Sequence, residues 1–310
     1  MGERFCASRM SFTPFQDTRS GRGDDARARL MARWDAGLTR LVQSRAYRAI
    51  RISLITIHAL LLRDALTRYG VRSAGYVWAL VQPLLQLGVM MTVFGLIGRA
   101  PAVGDSLVIF FMTGIMPLFL LRASLIRGAK AITQNRTLMN YPQVRGFEII
   151  TARALLESIT SFCVVVLVML FMKGFHGLPL LDWISNPLEL ICALATLQLL
   201  CYGACFLSAQ IGRVFSIWAD VVSVSGRLLF FTSGLWYTLG ALPPRLRDLI
   251  LLNPLAQNIE WIRDASIAGF ESDLFNPWYP ITFGVICLVI GLFIEWLVRI
   301  GRFDLIKAVR

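Results

Sequence analysis

A single arginine interrupts an apolar run that is otherwise typical of a transmembrane helix. The run extends from about Val221 to Leu242, and Arg227 lies inside it. An arginine at the centre of a bilayer costs about 2.5–3.5 kcal/mol on insertion scales. Its guanidinium group can bind a carboxylate in a fork, or its long side chain can reach nearby lipid headgroups. Both interpretations stay open, because Arg227 is only about 10 Å along a helix from Val221.

Aromatic residues gather on this run and around the start of the first long apolar run. Aromatic faces can stack on the C–H surfaces of sugars and let a polymer slide. Tryptophan and tyrosine also anchor helices at membrane interfaces. These residues could therefore line the path of a polymer or anchor the helices at the membrane interface. The set comprises Tyr76, Trp78, Phe230, Phe231, Trp236 and Tyr237.

Motifs of common enzyme chemistry are missing from the sequence. There is no GxxxxGK[ST] phosphate loop, no HExxH and no GxSxG, and the only two histidines are His58 and His176. We therefore expect no catalytic residues, no metal site and no cofactor in this chain, and no ATP hydrolysis by the chain alone.

Acidic residues inside the apolar runs are also sparse. Glu157, Glu189 and Glu295 all lie near the ends of such runs. An ion-coupled carrier usually has several buried acids that form a relay. The pattern favours an external energy source, such as a separate ATPase subunit.

The composition indicates a polytopic membrane protein. Of the 310 residues, 56% are hydrophobic and 16% are charged, whereas soluble domains average about 25% charged residues. The net charge of +12 fits basic residues concentrated in cytoplasmic loops. Five of the six cysteines lie in apolar runs and are interpreted as small packing residues.

Three regions divide the chain. Residues 1–50 form an Arg-rich cytoplasmic extension with no signal-peptide pattern. Residues 51–77 are predicted to form an amphipathic interfacial helix, because the apolar run Ile52–Leu62 is too short to span a bilayer and is flanked by arginines. Residues 78–310 are predicted to form an all-α domain of six transmembrane helices. The expected spans are Trp78–Gly98, Ser106–Leu121 with a possible extension to Ile126, Ala154–Met172, Leu190–Gly212, Val221–Leu242 and Asn276–Ile294.

The distribution of lysine and arginine predicts the orientation. Residues before Trp78 include 14 basic residues, and the segment from Arg122 to Arg153 has six more. The connections between spans one and two and between spans three and four hold only Arg99 and Lys173. Both termini are therefore predicted to be cytoplasmic, and an even number of spans agrees.

A short apolar segment follows the fifth run. Leu249–Ile259 has eleven uncharged residues, too few to cross a bilayer, which favours a re-entrant hairpin. An ordinary external loop carrying an amphipathic helix is the alternative. The residues expected to break or turn the chain there are Pro243, Pro244, Asn253 and Pro254.

Pro83 lies inside the first span, next to Gln82. A proline removes one helical hydrogen bond and kinks the helix. The kink could act as a hinge or as a static packing feature.

Three stretches resemble one family. Arg63–Leu85 is similar to the entry helix and first span of ABC type-2 transporter permeases. Asn135–Glu157 and Ser233–Ala265 resemble the cytoplasmic loop and the external segment of its capsular polysaccharide export branch, of the KpsM kind. The likeness runs from about Leu61 to the end of the sequence, in order.

The resemblance implies a homodimeric channel with two ATP-binding-cassette subunits, which would bind the ATP and Mg. It also implies a bacterial inner-membrane location, periplasmic and outer-membrane export partners, and a lipid-linked, acidic polysaccharide as substrate. Within the channel, Arg227 and the aromatic set would line the path. The ATPase would contact a cytoplasmic loop at Asn135, Arg136, Leu138, Asn140 and Tyr141.

The sequence thus favours the permease subunit of a capsular polysaccharide exporter. An O-antigen or teichoic-acid exporter permease is the alternative within transport. An intramembrane enzyme of glycan or lipid metabolism and an ion-coupled carrier are the alternatives from other classes. The sequence does not identify the sugar or its lipid anchor.

Overall fold

The computed structural model describes residues 45–69, 74–98, 101–104, 106–141, 143–176 and 184–301. The chain divides into two compact units, residues 1–52 and 53–310. Most of the predicted N-terminal extension therefore lies outside the described residues. The helical bundle belongs to the second unit.

Every regular element in the described ranges is helical, which confirms the all-α prediction. The helices are α1 (Arg45–Tyr69), α2 (Ala74–Ile97), α3 (Leu107–Gln134), α4 (Gly146–His176), α5 (Pro187–Val214), α6 (Trp218–Thr232), α7 (Pro244–Leu251), α8 (Pro254–Ser266) and α9 (Trp278–Arg299). Two 3₁₀ turns, Arg136–Asn140 and Leu239–Ala241, complete the described elements.

Four of these helices are long and apolar enough to cross a membrane: Leu107–Gln134, Gly146–Leu170, Pro187–Val214 and Trp278–Arg299. A shorter apolar helix covers Leu84–Ile97. Helices α3 and α5 terminate at the same end of the bundle at which α4 and α6 begin. We call this end the basic end, because Arg127, Arg153 and Arg213 lie near it.

Small residues let the central helices approach closely. A Cβ on Gly203 of α5 would overlap the carbonyl oxygen of Gly284 in α9, and one on Gly212 would overlap that of Ala129 in α3. Because lipid tails are as apolar as the side chains, such van der Waals contact is a main source of helix association in membranes. Helices α3, α5 and α9 therefore form the tightly packed centre of the bundle.

Three helices differ most from their predicted bounds. Helix α4 begins at Gly146, eight residues before the predicted Ala154, and continues to His176. Helix α3 continues past Arg122 and Arg127 to Gln134, because Arg127 forms an ion pair with Glu157 of α4 and its charge does not end the helix. Helix α6 has only 15 residues and ends at Thr232. The predicted run to Leu242 continues instead as irregular chain, with Gly234 at φ +74°.

The short apolar segment Leu249–Ile259 covers the end of α7 and the start of α8. Helix α7 is largely exposed, whereas nearly every residue of α8 is buried. Asn253 caps α8, since its side-chain oxygen accepts a hydrogen bond from the Leu255 amide at 3.0 Å. Asn258 holds α8 against α5, because its side-chain amide nitrogen donates to the Ala193 carbonyl at 3.1 Å.

Candidate functional site

The 3₁₀ turn after α3 presents an exposed polar surface at the basic end. Arg136, Asn140 and Tyr141 are exposed, and Tyr141 has 63% of its surface accessible. The amide of Tyr141 donates to the Leu138 carbonyl at 3.1 Å, which closes the turn. These side chains are free to meet a partner surface.

The two other residues predicted in this contact face inward. Asn135 is buried, donates to the Ala131 carbonyl at 2.8 Å and accepts from Arg63 of α1. Leu138 packs on the apolar cluster that includes Ile57 and Ile150. These residues fix the turn to the bundle.

A charged cavity of about 380 Å³ opens between α1, α3 and α4. Its arginines are paired: Arg127 with Glu157, and Arg153 with Asp64 at 3.4 Å. Arg153 also donates to Gln134 at 2.9 Å. The remaining lining residues are Thr67 and Leu156. Because each cation faces a carboxylate, the cluster works as an ion-pair network that joins three helices.

Another ion pair lies where α5, α9 and α4 meet. Arg213 donates to Glu295 at 2.6 Å, and Gln210 donates to the same carboxylate oxygen at 3.1 Å. A Cβ on Gly146, the first residue of α4, would lie 2.5 Å from Glu295 Oε1. The carboxylate is thus placed beside the positive end of the α4 dipole.

Arg227 and part of the aromatic set lie on and just after α6. Arg227 and Phe231 are exposed, whereas Phe230, Trp236 and Tyr237 are half-buried. Trp236 packs between Phe94 and Phe230, with ring centroids 5.5 and 5.3 Å away. Tyr237 donates its hydroxyl to the Phe231 carbonyl at 2.8 Å. The structure brings these five residues into one region, and their contact with a substrate stays a prediction.

Three other predicted residues cannot be placed in the same detail. Tyr76, Trp78 and Pro83 belong to α2, but their side chains lie outside the described part of the structure. The predicted hinge at Pro83 therefore stays a prediction.

Arg263 is a central residue that the sequence analysis missed. It is fully buried in α8 and donates to the carbonyls of Gly234, Tyr237 and Leu235 at 2.7, 3.0 and 3.2 Å. Irregular backbone cannot face lipid with free carbonyls; Arg263 supplies the donors after α6 ends. In the sequence Arg263 lies between Glu260 and Asp264, after the apolar run has ended at Ile259, so no local signal distinguished it.

Arg122 was counted with the basic residues that follow the second span, although that span was allowed to extend past it to Ile126; it lies in the interior of α3. It is half-buried, and a Cβ on Gly226 of α6 would lie 2.9 Å from its Nε. The charge of Arg122 had favoured a helix end at this residue. Its packing against Gly226 shows that it lies inside the helix instead. Arg122 therefore lies at the contact between α3 and α6, against the glycine that precedes Arg227.

The chain was compared with known protein families. The model of one family, described as ABC-2 type transporter, matches residues 56–266. The matched region runs from α1 through α8 and covers more than half of the chain.

Several curated proteins are similar over most of their length. The polysialic acid transport protein KpsM of Escherichia coli is 30% identical over 243 residues, which cover 78% of this chain and 92% of that protein. The capsule polysaccharide export inner-membrane protein CtrC of Neisseria meningitidis serogroup B is 28% identical over 255 residues, 79% and 92% of the two chains. The corresponding protein BexB of Haemophilus influenzae is 25% identical over 243 residues, 76% and 88%.

Proposed function

The chain belongs to the ABC-2 type transporter family, and from that premise we propose that it is the membrane permease of a capsular polysaccharide exporter. The observation that carries the proposal is the match, along most of both chains, to proteins named for polysialic acid transport and for capsule polysaccharide export. The paired charges of the bundle agree with it, because they do not form the acidic relay of an ion-coupled carrier.

We infer six spans in the bacterial inner membrane, with both termini cytoplasmic. Helices α2 and α6 would join the four long apolar helices, and the irregular chain after Thr232 would complete the fifth crossing. The basic end would face the cytoplasm, in agreement with its arginines. The pair α7–α8 would be a re-entrant segment, supported by the burial of α8 and by the carbonyls that Arg263 satisfies.

The energy would come from a partner. We propose a homodimer of this chain with two ATP-binding-cassette subunits, which bind ATP and Mg. Their contact would be Arg136, Asn140 and Tyr141, while Asn135 and Leu138 hold the turn in position. A short exposed helix beside a packed bundle can fit a partner's groove and transmit its motion.

The substrate would be a long, acidic, lipid-linked polysaccharide, handed on to periplasmic and outer-membrane export proteins. Arg227 and the aromatic residues around Trp236 would line its path, with Tyr76 and Trp78 at the other end. An exposed guanidinium can exchange from one carboxylate of a polymer to the next, and aromatic faces add weak contacts along the sugars.

Affinity purification from the native membrane tests the proposal. We expect a stoichiometric second chain with a phosphate loop, and ATP hydrolysis only when both chains are present. Recovery of this chain alone, from membranes in which known transporter complexes stay intact, would contradict the proposal and favour an enzyme or a carrier.

A further inference from the structure

The charged cavity between α1, α3 and α4 plays no part in the proposed ATPase contact or in the proposed glycan path. Its volume of about 380 Å³ falls in the range of about 300–1,000 Å³ that is typical of small-molecule sites. Two arginines and two carboxylates line it, so its fixed charges balance. A cavity of this size and balance fits a ligand that carries both a positive and a negative group.

The arginines of this cavity keep unused hydrogen-bond donors. Arg127 contacts Glu157 with Nη1, and because its side chain is 33% exposed, its other nitrogens are accessible to a ligand. Nε of Arg153 is buried without a hydrogen-bond partner, since the nearest carboxylate oxygen, Oδ2 of Asp64, is 3.4 Å away. The wall of the cavity therefore offers donors to an anionic group.

Asp64 supplies the acceptor side of the cavity. Its Oδ1 accepts a hydrogen bond from Nε of Arg63 at 3.1 Å. Its Oδ2 accepts no hydrogen bond from the described residues and faces only Nε of Arg153. A carboxylate oxygen at the cavity thus lacks a donor, and the ammonium group of a ligand would supply one.

The face of α4 that continues from the cavity is mostly apolar and leads away from the basic end. Leu156 lines the cavity. Cys163 and Leu167 follow it at spacings of seven and eleven residues, which place the three side chains on one face of the helix. The exposed fraction rises along this face, from 6% at Leu156 to 39% at Leu167. An acyl chain that follows this face brings its headgroup to the cavity.

We propose that this cavity binds the headgroup of phosphatidylethanolamine from the leaflet at the basic end. The phosphate accepts hydrogen bonds from Arg127, and the primary ammonium donates to Oδ2 of Asp64. Arg127 is seven residues, or about 10 Å, from the Gln134 end of α3, near the depth at which headgroups meet hydrocarbon. The proposal does not depend on the export function.

The chemistry of the cavity disfavours two other headgroups. Phosphatidylcholine carries a quaternary ammonium, which has no N–H to donate and is held by aromatic rings, whereas the described lining of the cavity has no aromatic residue. Phosphatidylglycerol has a net negative charge and brings no cation to Asp64. Basic pockets bind anionic lipids, but both arginines of this cavity already face a carboxylate.

Lipid retention by the purified full-length chain, with any chains that co-purify, tests the site. Nanodiscs contain equal amounts of phosphatidylethanolamine, phosphatidylcholine and phosphatidylglycerol with the same acyl chains. The lipids that stay bound after transfer to detergent are counted by native mass spectrometry. We expect one phosphatidylethanolamine per chain in excess of the other two lipids. Equal retention of the three lipids would overturn the proposal.

Two threonines separate a blocked cavity from a general effect of side-chain bulk. Thr67 lines the cavity and Thr133 of α3 does not. Both are exposed, and each donates to the carbonyl three residues before it, at 3.3 and 3.2 Å. Thr67→Trp fills the cavity without removing a charge and should lower phosphatidylethanolamine retention about tenfold, the loss of one charge-assisted contact. Thr133→Trp should leave it unchanged, and equal retention by the two variants would contradict the site.

The preference among headgroups should change when Asp64 is neutralised. Asp64→Asn removes the acceptor of the ammonium and leaves the cavity with a positive charge in excess. We expect phosphatidylethanolamine retention to fall about tenfold while phosphatidylglycerol retention rises, whereas a merely structural role would lower both. Asp248→Asn, at an exposed site in α7, is the control. An unchanged preference in Asp64→Asn would overturn the role given to this carboxylate.

Soluble glycerophosphoethanolamine distinguishes a lipid from a free ligand with the same phosphoethanolamine group. It lacks the acyl chains that would follow Leu156, so we expect that even a large excess does not displace the bound lipid. Binding of this compound to the wild type, without enrichment of phosphatidylethanolamine, would assign the cavity to a soluble ligand and contradict the proposal.

Discussion

The guanidinium group of Arg263 lies over the ring of Phe110, with Cζ 4.1 Å from the ring centroid. The same group donates to three carbonyls of the chain that follows α6. One side chain of α8 thereby joins α3 to the irregular segment from Gly234 to Tyr237. The contact explains how a 15-residue helix can be followed by non-helical backbone inside a bundle.

Loss of this arginine should destabilise the bundle. In Arg263→Gln the three carbonyls lose their donors, and we expect a loss of about 3 kcal/mol or more. Thermal unfolding in detergent, followed by near-UV circular dichroism, measures the effect. Arg245→Gln on the exposed helix α7 is the matched control and should leave the Tm unchanged. Equal Tm values for the two variants would contradict the role given to Arg263.

The close approach of α5 and α9 predicts a difference between two glycines. Gly203→Ala would force the Gly284 backbone away, and overpacking of this kind costs about 1–3 kcal/mol. Gly95→Ala meets no atom within 4 Å, and alanine is the better helix former. We expect a lower Tm for the first variant and an equal or higher Tm for the second. A Tm for Gly203→Ala at or above that of the wild type would show that α5 and α9 do not pack this closely.

The pair Arg213–Glu295 predicts a strong coupling between two substitutions. Glu295→Gln removes the carboxylate from a largely buried arginine, and breaking such a pair costs about 3–5 kcal/mol. The double variant Arg213→Met, Glu295→Gln no longer buries an unpaired charge and should recover part of that loss. Denaturation of the single and double variants gives the coupling energy. If the two substitutions had additive effects on the free energy of unfolding, the pair would not be formed in the protein. Glu271→Gln, at an exposed site, controls for a general effect of removing a negative charge.

The turn after α3 should separate assembly from stability. Arg136→Ala and Tyr141→Ala remove exposed side chains, so we expect the Tm to stay constant while the amount of co-purified ATPase falls several-fold. Asn135→Ala removes a buried group that contacts Ala131 and Arg63, so the Tm should fall as well. Quantitative immunoblots of the complex together with Tm values distinguish the two effects. Full recovery of the ATPase with both the Arg136→Ala and the Tyr141→Ala variant would show that the ATPase contacts another part of the chain.

The apolar pattern was enough to predict the four helices that are long enough to cross a membrane, because each of them contains an apolar run of about the length that a bilayer requires. Their ends were less predictable. Arg127 and Arg153 were interpreted as loop residues, yet they continue α3 and α4, since carboxylates on neighbouring helices pair with them. Such pairs join residues distant in sequence, so no local pattern contains them.

The candidate site shows the same limit. Arg227 was found because a charge inside an apolar run is conspicuous within one segment. Arg122 and Arg263 were missed because their roles depend on Gly226 and on the Gly234 carbonyl, which belong to other elements. The exposed Arg136 and Asn140 could not be distinguished from the buried Asn135, since all three residues are polar.

ATP-driven movement of the glycan is the most direct test of the central claim. Inside-out vesicles that contain the complex are supplied with lipid-linked acidic polysaccharide, and the fraction protected from an added glycosidase is measured. We expect protection to rise only with ATP and Mg, and to disappear when the phosphate-loop lysine of the partner is replaced. Polysaccharide that stays accessible with ATP, or that becomes protected on an ion gradient without ATP, would contradict the account.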